Sequence, residues 1–462
     1  MKLSLGGKQV LVYGLGTTGI AVARFLAGRG ARVHAIDDRP LEELSHAAAS
    51  LKDYPLTVEY APGTPSLPPG TELVIPSPGV PPANLVLQEA EAKGIPVISE
   101  IELAFAFIER PIVAVTGTNG KTTATELAGH MLKLWGQEVF LGGNLGTPLI
   151  SCAGNDGGFD VLVVEVSSFQ LQWVRDFRPR IAVLLNVGTD HLDYHGSLDN
   201  YKDAKKRIFK NMGPGDPAIL NADDPCSTEL VESIAGPVIL FSSKGILEEG
   251  IFVDGPNLRL RRHGFAEEVY FLEHVQLRGR HNRENIMASI VAARACECPR
   301  EVIQEALESF QGLPHRIEEV GSWRGVRFFN DSKGTNVDAV MRALEAFEEP
   351  LVLLMGGRDK KDDFSRLEEP LREKVRELIL FGEAGPGIAG MLGGIVSTSV
   401  EKTLDAAVDR ALVSARPGDV VLLSPGCASF DEFVDYRERG DFFKKKLIAA
   451  MESMGETKQG QQ

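Results

Sequence analysis

Short apolar runs recur along this chain, and each is followed by a Gly-rich turn and then by a stretch with helical spacing. The succession begins anew at residues 9–13, 112–115 and 326–330. Apolar runs that alternate with amphipathic segments are typical of buried parallel strands connected by helices. The pattern therefore predicts an α/β protein built from three doubly wound units.

Two proline-containing segments mark plausible joints between these units, Glu109-Arg110-Pro111 and Gly312-Leu313-Pro314. The first joint could equally lie about ten residues earlier, before the helical pattern at 101–108. A chain of 462 residues is long enough for about three domains. We therefore expect a Rossmann-like N-terminal domain at residues 1–99, a central P-loop-type ATPase domain with a parallel sheet at 100–312, and a Rossmann-like C-terminal domain at 313–462.

Composition narrows the class of protein. The contents of 43% hydrophobic and 24% charged residues are globular values. A net charge of −15 argues against a nucleic-acid-binding protein, and no apolar stretch approaches the length of a membrane span or a signal peptide. Five cysteines without a C-x-x-C pattern indicate reduced thiols. We expect a cytoplasmic monomer that acts on small molecules and binds neither nucleic acid nor membranes.

The turn after the second strand is a candidate phosphate loop. Its residues are Gly117, Thr118, Asn119, Gly120, Lys121, Thr122 and Thr123. Backbone N–H groups of such a turn, together with the N-terminus of the next helix, can bind a phosphate. Lys121 would reach the terminal phosphates, and the Thr122 hydroxyl would bind Mg²⁺. The outer glycine of the usual P-loop pattern is replaced by Val115, so a structural turn with a surface lysine is the alternative.

The turn after the first strand, at residues 14–19, fits the pattern G-x-G-x-x-G. Asp37 closes the next strand, about where a ribose-binding acid is expected. Taken alone this favours NAD, yet the same turn serves any nucleotide with a diphosphate. A second turn, Ser77-Pro78-Gly79, follows the strand pattern at 72–75. A nucleotide-sugar diphosphate is therefore as plausible as NAD, and tight turns with nothing bound are the third interpretation.

Two further strand patterns in the second unit end in polar residues. Glu165 follows the run at 160–164 and is placed to bind Mg²⁺ near the phosphate loop. His191 follows the run at 181–185 as a second candidate ligand, and Asp190 or Asp193 could serve in its place. The basic stretch at 201–209 reads YKDAKKRIF, which by itself indicates a solvated helical face.

Several motifs stand together in the order and spacing of one family. They are GTNGKTT, EVSSFQL, NVGTDHLD, YKDAKKRIF, GRHNREN, LPHRIE, FNDSKGTN, MGGRDK and LSPGCASFD. On these motifs the chain resembles the Mur ligase family over essentially its whole length. Its first domain and the motif NDSKGTN are similar to the branch that adds D-glutamate. Gly188, Tyr194 and residues 360–363 depart from the usual family pattern without removing a ligand.

The resemblance implies an ATP-dependent carbon–nitrogen ligase of peptidoglycan precursor synthesis, hence of cell wall biogenesis, cell shape and cell division. Its implied reaction adds D-glutamate to UDP-N-acetylmuramoyl-L-alanine through an acyl phosphate. The residues implied in catalysis are Lys121, Glu165, His191 and Lys205. Two Mg²⁺ ions are implied, with Thr122, Glu165, His191 and a Lys205 carbamylated by carbon dioxide as ligands. A carbamate offers carboxylate-like oxygens that an ammonium lacks, whereas Lys206 is expected to be a surface charge.

The resemblance also implies the substrate contacts. For ATP these are the loop residues 117–123 with Asn285, Arg316, Asp331 and Lys333. For the UDP-sugar they are Thr17, Thr18, Asp37, Asp38, Arg39, Ser77, Gly79 and Asn144. For D-glutamate they are Thr335, Lys360, Ser429, Phe430 and Tyr436.

Two other classes compete with the ligase. One is an NAD(P) oxidoreductase with an ATP-binding appendage, based on the first glycine-rich turn and Asp37. The other is a non-catalytic scaffold that senses nucleotides. An oxidoreductase needs no Lys121-Thr122 loop, and a scaffold needs no set of Glu165, His191 and Lys205, so the sequence favours the ligase.

Overall fold

Three sheets make up the described part of the chain, one for each repeat of the sequence pattern. The structure is a computed structural model that describes residues 3–60, 66–188, 190–359 and 362–459. The chain divides into two compact units, one of residues 1–275 and 283–310 and the other of 276–282 and 311–462. The expected α/β fold with parallel-rich sheets is confirmed.

The first sheet is built from four strands in the described residues, and all of its pairings are parallel. Its strands are β1 (Gln9–Tyr13), β2 (Arg32–Asp37), β3 (Leu56–Tyr60) and β4 (Leu73–Pro76). Its helices are α1 (Thr17–Ala27), α2 (Ser45–Leu51), α3 (Leu85–Ala92) and α4 (Glu100–Phe105). The strand order is β3-β2-β1-β4. Strands β1 and β4 are almost entirely buried, as expected for parallel strands covered on both faces.

The central sheet carries the candidate phosphate loop. Its strands are β5 (Ile112–Thr116), β6 (Val139–Gly143), β7 (Val161–Glu165), β8 (Ile181–Leu184), β9 (Ala218–Asn221), β10 (Val238–Ser242), β11 (Gly250–Asp254), β12 (Asn257–Arg261) and β13 (Glu268–Phe271). The helices of this part are α5 (Lys121–Leu134), α6 (Ser168–Leu171), α7 (Leu192–His195), α8 (Leu198–Lys206), α9 (Pro225–Thr228), α10 (Arg280–Ala295) and α11 (Arg300–Ser309).

The order of this sheet is β13-β12-β11-β10-β9-β8-β5-β7-β6. Pairings from β6 through β11 are parallel, whereas β11, β12 and β13 pair antiparallel at one edge. The sequence did not predict this antiparallel edge. Buried and half-exposed positions alternate along β12, so one face of the hairpin meets solvent and its apolar signal is weaker.

The third sheet is mixed. Its strands are β14 (Glu318–Trp323), β15 (Val326–Asn330), β16 (Leu351–Gly356), β17 (Val375–Phe381), β18 (Ser397–Val400) and β19 (Val420–Gly426). Its helices are α12 (Val337–Glu345), α13 (Glu368–Lys374), α14 (Gly385–Leu392), α15 (Leu404–Ser414) and α16 (Tyr436–Gln459). The order is β14-β15-β19-β16-β17-β18, with β14 antiparallel to β15 and the other pairs parallel.

Short 3₁₀ helices occupy several connections. They are Leu41–Leu44, Leu149–Ser151, Asp156–Gly158, Arg207–Phe209, Val231–Ser233 and Phe364–Leu367. Among the described helices, none is long and apolar enough to cross a membrane.

The strand order fixes where the candidate chemistry lies. Strands β8, β5 and β7 are neighbours and run parallel, so their carboxyl ends share one edge of the sheet. Asn186 and Gly117 lie in the loops that leave β8 and β5, and Glu165 is the last residue of β7. Loops at the carboxyl ends of parallel strands are where α/β proteins usually bind ligands. The expected phosphate loop and the expected metal ligand are therefore adjacent.

Candidate functional site

The candidate phosphate loop makes a sharp turn into α5. Gly120, the residue before the helix, has φ +85°, a left-handed conformation that favours glycine. A Cβ added to Gly120 would lie 2.1 Å from Oδ1 of Asn285, which is buried at the start of α10. The turn and Asn285 are thus in close contact. Asn285, which is expected to contact ATP, therefore lies beside the loop.

Asn186 holds the loop from the neighbouring strand. Its Oδ1 accepts from Asn119 N at 2.9 Å, and its Nδ2 donates to Asn119 O at 3.2 Å. Its carbonyl accepts from Thr118 N at 3.0 Å. Three hydrogen bonds from one residue fix the loop backbone before any ligand binds. Asn186 was quoted in a motif but was not predicted as a site residue.

Two lysine amines converge on the same loop carbonyl. Lys121 Nζ donates to Gly117 O at 3.0 Å and to Thr118 O at 2.9 Å, and Lys205 Nζ donates to Gly117 O at 2.8 Å. Lys205 is only 1% exposed. Burial and the nearby Lys121 hold the pKa of Lys205 well below its ordinary value, although Asp190 acts in the opposite direction. The alternative interpretation of Lys205 as a solvated surface charge is therefore wrong.

Tyr201 covers this lysine from the same helix. Lys205 Nζ lies 4.6 Å from the centroid of the Tyr201 ring. The Tyr201 hydroxyl is 2.9 Å from Oγ1 of Thr118, which also accepts from Gly188 N at 2.9 Å. Burial raises the pKa of Tyr201 to about 12, so its hydroxyl stays neutral. Sequence reasoning missed Tyr201, although its spacing of four from Lys205 places both on one face of α8.

Glu165 has the character of a cation ligand. Its side chain is 3% exposed, and its Oε1 accepts from Asn144 Nδ2 at 2.8 Å. Its Oε2 is buried without a hydrogen-bond partner. A buried carboxylate oxygen without a partner is costly unless a cation or donor completes the site. Over the described residues, no group of three or more His, Cys, Asp or Glu could hold a metal, so Glu165 would need other kinds of ligand.

His191 stands at a loop with a left-handed backbone, φ +52°. Its backbone N donates to Asp190 Oδ1 at 2.9 Å, and its Nε2 lies 3.5 Å from Asp190 Oδ2. The ring packs 4.7 Å from that of Phe169, just beyond Glu165 in sequence. The side chain of Asp193, an alternative ligand, lies outside the described part. The next histidine, His195, is buried with Nε2 3.0 Å from Ser168 Oγ, and it was not predicted.

A cavity of about 400 Å³ opens at the carboxyl edge of the first sheet. Its lining contains all the sugar-nucleotide residues expected from the first domain. The lining residues are Tyr13, Gly14, Gly16, Thr17, Thr18, Asp37, Asp38, Arg39, Ser77, Pro78, Gly79 and Val80. Asn144 is not in this lining and instead contacts Glu165.

The turn at Gly14, which lines this cavity, is tightly packed. Ser77 Oγ donates to Gly14 O at 2.8 Å. A Cβ on Gly19 would lie 1.9 Å from Gly14 O, and a Cβ on Gly14 would lie 2.8 Å from that of Ser77. Gly14 and Gly19 are therefore needed for close approach within the turn, whereas an added Cβ at Gly16 would meet nothing within 4 Å.

The charged rim of the cavity is internally paired. Arg39 donates through Nε to Asp37 Oδ1 at 3.0 Å and through Nη2 to Oδ2 at 2.9 Å, while Leu15 N donates to Oδ2 at 2.6 Å. Burial acts to raise the pKa of Asp37, but these donors outweigh it and the pKa is lowered. Tyr13 donates to Asp38 Oδ1 at 2.7 Å, and burial with this bond raises the Tyr13 pKa to about 12. Arg39 is thus already bonded to Asp37.

In the third sheet, Asp331 follows β15 and is buried. Its Oδ2 accepts from Ser424 Oγ at 2.8 Å. Burial raises the pKa of Asp331 to about 7, against the opposing effects of Ser424 and of the Arg316 charge. Arg316 and Asp331, expected together at ATP, are therefore close enough to interact. Lys333 Nζ lies 5.5 Å from the Tyr436 ring centroid, so two more predicted residues are neighbours.

The expected D-glutamate residues lie around the end of β19. Ser429 is buried, whereas Phe430 is 61% exposed. Tyr436 begins α16. Thr335 precedes α12 on the loop that also holds Lys333. Lys360, predicted as the counter-charge for a substrate carboxylate, lies outside the described residues.

Arg439 joins the two loops of this region and was missed by the sequence analysis. It is fully buried and donates to Ser332 Oγ at 3.0 Å, to Ser332 O at 2.9 Å and to Cys427 O at 3.1 Å. It also reaches Ala428 O at 3.3 Å. Burial lowers the pKa of Arg439 to about 10. The loop of Lys333 and that of Ser429 are thereby held together by one side chain.

Sequence models of known domain families match most of the chain. A sequence model described as the Mur ligase MurD-like N-terminal domain matches residues 8–99. The Mur ligase middle domain matches residues 115–293, and the Mur ligase glutamate ligase domain matches residues 315–427.

Curated relatives match at nearly full length. A protein from Syntrophus aciditrophicus named UDP-N-acetylmuramoylalanine--D-glutamate ligase is 47% identical over 448 residues, which cover 97% of this chain and 99% of the relative. A protein of the same name from Pelotomaculum thermopropionicum is 43% identical over 453 residues, covering 96% of this chain and 98% of the relative.

Solved structures agree on the fold. The MurF ligase of Thermotoga maritima in complex with ADP has a TM-score of 0.60 and 19% identity, covering 97% of this chain and 100% of that one. The UDP-N-acetylmuramate-alanine ligase MurC of the same organism has a TM-score of 0.57 and 19% identity, covering 97% and 99%.

Proposed function

This chain belongs to the Mur ligase family, and on that premise we propose that it joins D-glutamate to UDP-N-acetylmuramoyl-L-alanine with hydrolysis of ATP. The product is a peptidoglycan precursor, so the enzyme serves cell wall synthesis. The substrate pair is the one in the names of relatives 47% and 43% identical to it.

The observation that carries this function is the presence of two nucleotide-type sites in one compact unit. A phosphate loop opens at the end of β5, and a cavity of about 400 Å³ opens at the end of β1. A ligase that activates a UDP-linked carboxylate with ATP needs both. We assign the sugar nucleotide to residues 1–99, ATP to residues 100–312 and D-glutamate to residues 313–462.

The chemical difficulty is the leaving group. An oxide does not leave a carboxylate, but phosphate leaves an acyl phosphate when an amine attacks. The alanyl carboxylate takes the γ-phosphoryl group of ATP, and the amine of D-glutamate then displaces phosphate to form the amide. Such a transfer depends on positioning and charge neutralisation. The Gly117–Thr123 loop would cradle the phosphates, with Lys121 turning from the loop carbonyls toward them.

Family membership implies Mg²⁺, and the residues present fit it. The main reason to place Mg²⁺ here is the Oε2 atom of Glu165, which is buried without a hydrogen-bond partner. The Thr122 hydroxyl is the second proposed ligand of this ion. Mg²⁺ bound there would neutralise charge on the phosphates. We propose a second ion at His191 and Lys205, for which Asp190 is the alternative ligand.

Carbamylation of Lys205 is part of this proposal. A carbamate forms from a neutral amine, and Lys205 is buried beside Lys121 with its pKa held well below the ordinary value. Such an amine is neutral at lower pH than a surface lysine, which favours its reaction with carbon dioxide. Lys206, by contrast, is half exposed, and its Nζ lies 3.3 Å from Oδ1 of Asp203.

The remaining assignments follow the same logic. Asn285, Arg316, Asp331 and Lys333 would bind ATP, and Thr335, Lys360, Ser429, Phe430 and Tyr436 would bind D-glutamate. The UDP-sugar would take the cavity-lining residues Thr17, Thr18, Asp37, Asp38, Arg39, Ser77 and Gly79, with Asn144. Because UDP-sugars and ATP are cytoplasmic metabolites, we propose a cytoplasmic enzyme, acting as a monomer.

Phosphate release tests the function directly. We expect phosphate only when ATP, Mg²⁺, UDP-N-acetylmuramoyl-L-alanine and D-glutamate are all present. L-glutamate, D-aspartate and L-alanine serve as controls for the acceptor. Equal turnover with any of these would refute the assignment of D-glutamate. A change in NADH absorbance without phosphate release would favour the oxidoreductase instead.

A further inference from the structure

Glu100 is a buried carboxylate outside the proposed set of ligands. It is the first residue of α4 and is 1% exposed. Its Oε1 accepts from Ile150 N at 2.7 Å, and its Oε2 accepts from Gln170 Nε2 at 3.4 Å. Leu149 N also donates to it. Glu100 thus joins two segments that are distant in sequence, helix α6 and the 3₁₀ helix at Leu149–Ser151.

The α6 segment leads directly to Glu165. Gln170 Oε1 accepts from Ser167 N and Ser167 Oγ, each at 3.0 Å, and Ser167 Oγ accepts from Gln170 N at 3.3 Å. This capping box fixes the start of α6. With its oxygen occupied by Ser167, the amide of Gln170 can present only its NH₂ group to Glu100. The turn after Glu165 is therefore held through Gln170.

The 3₁₀ segment reaches Glu165 from the other side. Asn144 lies a few residues before the 3₁₀ helix, and the intervening turn is closed by Gly143 N donating to Thr147 O at 2.8 Å. Asn144 N donates to Glu165 O at 2.8 Å, and Asn144 Nδ2 donates to Glu165 Oε1 at 2.8 Å. Both chain segments that position the Glu165 carboxylate are therefore anchored on Glu100.

We propose that Glu100 is a positioning residue of the ligase, which holds the segments 143–150 and 165–170 together so that Asn144 and Glu165 meet at the ATP end of the site. This inference rests on the proposed function, because the position of Glu165 affects turnover only if the protein is the ATP-dependent ligase. The hydrogen bonds that carry it are within one compact unit.

The protonation state of Glu100 follows from its neighbours. Burial raises its pKa to about 7, although its three donors act to lower it. Protonation at Oε2 would place an O–H against the NH₂ group of Gln170, so the ionised acceptor fits best. The Cys152 thiol, whose pKa burial raises to about 12, stays neutral, and both Asp156 and Glu100 act on it to raise that pKa.

Glu102, two residues later, provides a matched control. It is also buried and accepts from Arg175 N, Asp176 N and Phe177 N at 2.8–2.9 Å. These donors follow α6 and do not lead to Asn144. Substitution of either carboxylate therefore removes a buried acceptor, but only Glu100 acts on Glu165.

The test compares Glu100→Gln with Glu102→Gln by thermal melting and by calorimetric titration with Mg²⁺ and a non-hydrolysable ATP analogue. At pH 8 we expect Glu100→Gln to raise the dissociation constant of the analogue about tenfold and Glu102→Gln to leave it within about twofold. Below pH 6 the parent should approach Glu100→Gln, because Glu100 is then protonated. Similar affinity changes in both variants would overturn the proposal.

A second variant covers the case in which Glu100→Gln fails to fold. Glu100→Asp keeps a carboxylate on a shorter side chain, and we expect it to raise the dissociation constant about threefold. A parental constant in Glu100→Asp would refute the positioning role. Failure of the proposed function is seen separately, because the parent itself would then release no phosphate with D-glutamate.

Discussion

Lys205 and Lys206 are adjacent in sequence but lie in different environments. Lys205 is buried against Gly117 O and the Tyr201 ring, whereas Lys206 is 41% exposed and pairs with Asp203. Neighbouring residues of a helix point about 100° apart, so one can face the core while the next faces solvent. The two lysines thus form a natural test pair for a role at the site.

We expect Lys205→Ala to lower kcat by at least about 100-fold, because under the proposed carbamylation the variant loses two oxygens at the developing phosphate charge. Small carboxylic acids should restore part of the activity by occupying the vacated position. Lys206→Ala should keep parental turnover and change stability by no more than about 0.5 kcal/mol. Phosphate release checks both variants. Parental turnover in Lys205→Ala would leave the second metal to His191 and Asp190.

At the scale of elements, α5 has glycines with left-handed backbone near both of its ends. Gly120 precedes the helix with φ +85° and contacts Asn285, while Gly136 follows it with φ +89° and has nothing within 4 Å of an added Cβ. At both positions, a residue with a side chain would cost roughly 1–2 kcal/mol of stability, because the backbone there is left-handed. They differ only in what the added methyl group would meet.

We therefore expect Gly120→Ala to weaken binding of an ATP analogue by at least about tenfold, whereas Gly136→Ala should leave it unchanged. Both variants should lose conformational stability in urea denaturation, since both strain the backbone, and Gly120→Ala should lose at least as much because its methyl group also meets Asn285. Calorimetric titration with the analogue provides the measurement. If the two variants bound the analogue equally well, contact between the loop and Asn285 would not matter for ATP.

Arg439 stabilises the loops at the ends of β15 and β19 from helix α16. Its removal would leave the carbonyls of Ser332 and Cys427 buried without donors, which costs about 1–3 kcal/mol for each. We expect Arg439→Ala to lose about 3 kcal/mol or more in urea denaturation and to raise the KM for D-glutamate. Arg437→Ala, at a side chain 64% exposed, should change neither quantity appreciably. If Arg439→Ala folded and its KM for D-glutamate were unchanged, Arg439 would not be needed to shape the proposed amino-acid site.

Strands that are covered on both faces were predictable from the sequence, whereas the antiparallel strands at one edge of the central sheet were not. The runs at 9–13 and 326–330 match β1 and β15 because most of their residues are apolar and four of the five positions in each strand are buried. The edge strands β11–β13 were missed because their polar positions face solvent. At the site, turn motifs revealed Gly117–Thr123, but Asn186, Tyr201 and Arg439 act through contacts that only the folded chain brings together.

At the scale of the whole molecule, the family and the ligase activity expected from the motifs are confirmed by relatives that match nearly the full chain. The motifs were sufficient to identify the family because they are spread over all three sheets. The individual site roles stay predictions. They depend on distances to ligands, which sequence spacing does not determine.

The two proposed nucleotide sites lie at the ends of strands in different sheets, so we expect them to respond separately to substitution. We expect Lys121→Ala to abolish acyl-phosphate formation, because the variant cannot neutralise the terminal phosphates. Its dissociation constant for UDP-N-acetylmuramoyl-L-alanine should stay within about threefold of the parent, since the cavity lining contains no residue of the loop. Calorimetry with the sugar nucleotide measures this. A large loss of sugar-nucleotide affinity would show that the domains are assigned wrongly.

The tight glycine turn beside the proposed sugar-nucleotide cavity has a consequence for drug resistance. No side chain can be added at Gly19, because even a methyl group would overlap Gly14 O, and one at Gly14 would collide with Ser77. Of these two glycines, Gly14 lines the cavity, so we expect an inhibitor that contacts the backbone at Gly14 to meet a surface that tolerates few substitutions. Escape from such a compound would have to arise at the rim, at Asp38 or Arg39, or through higher expression.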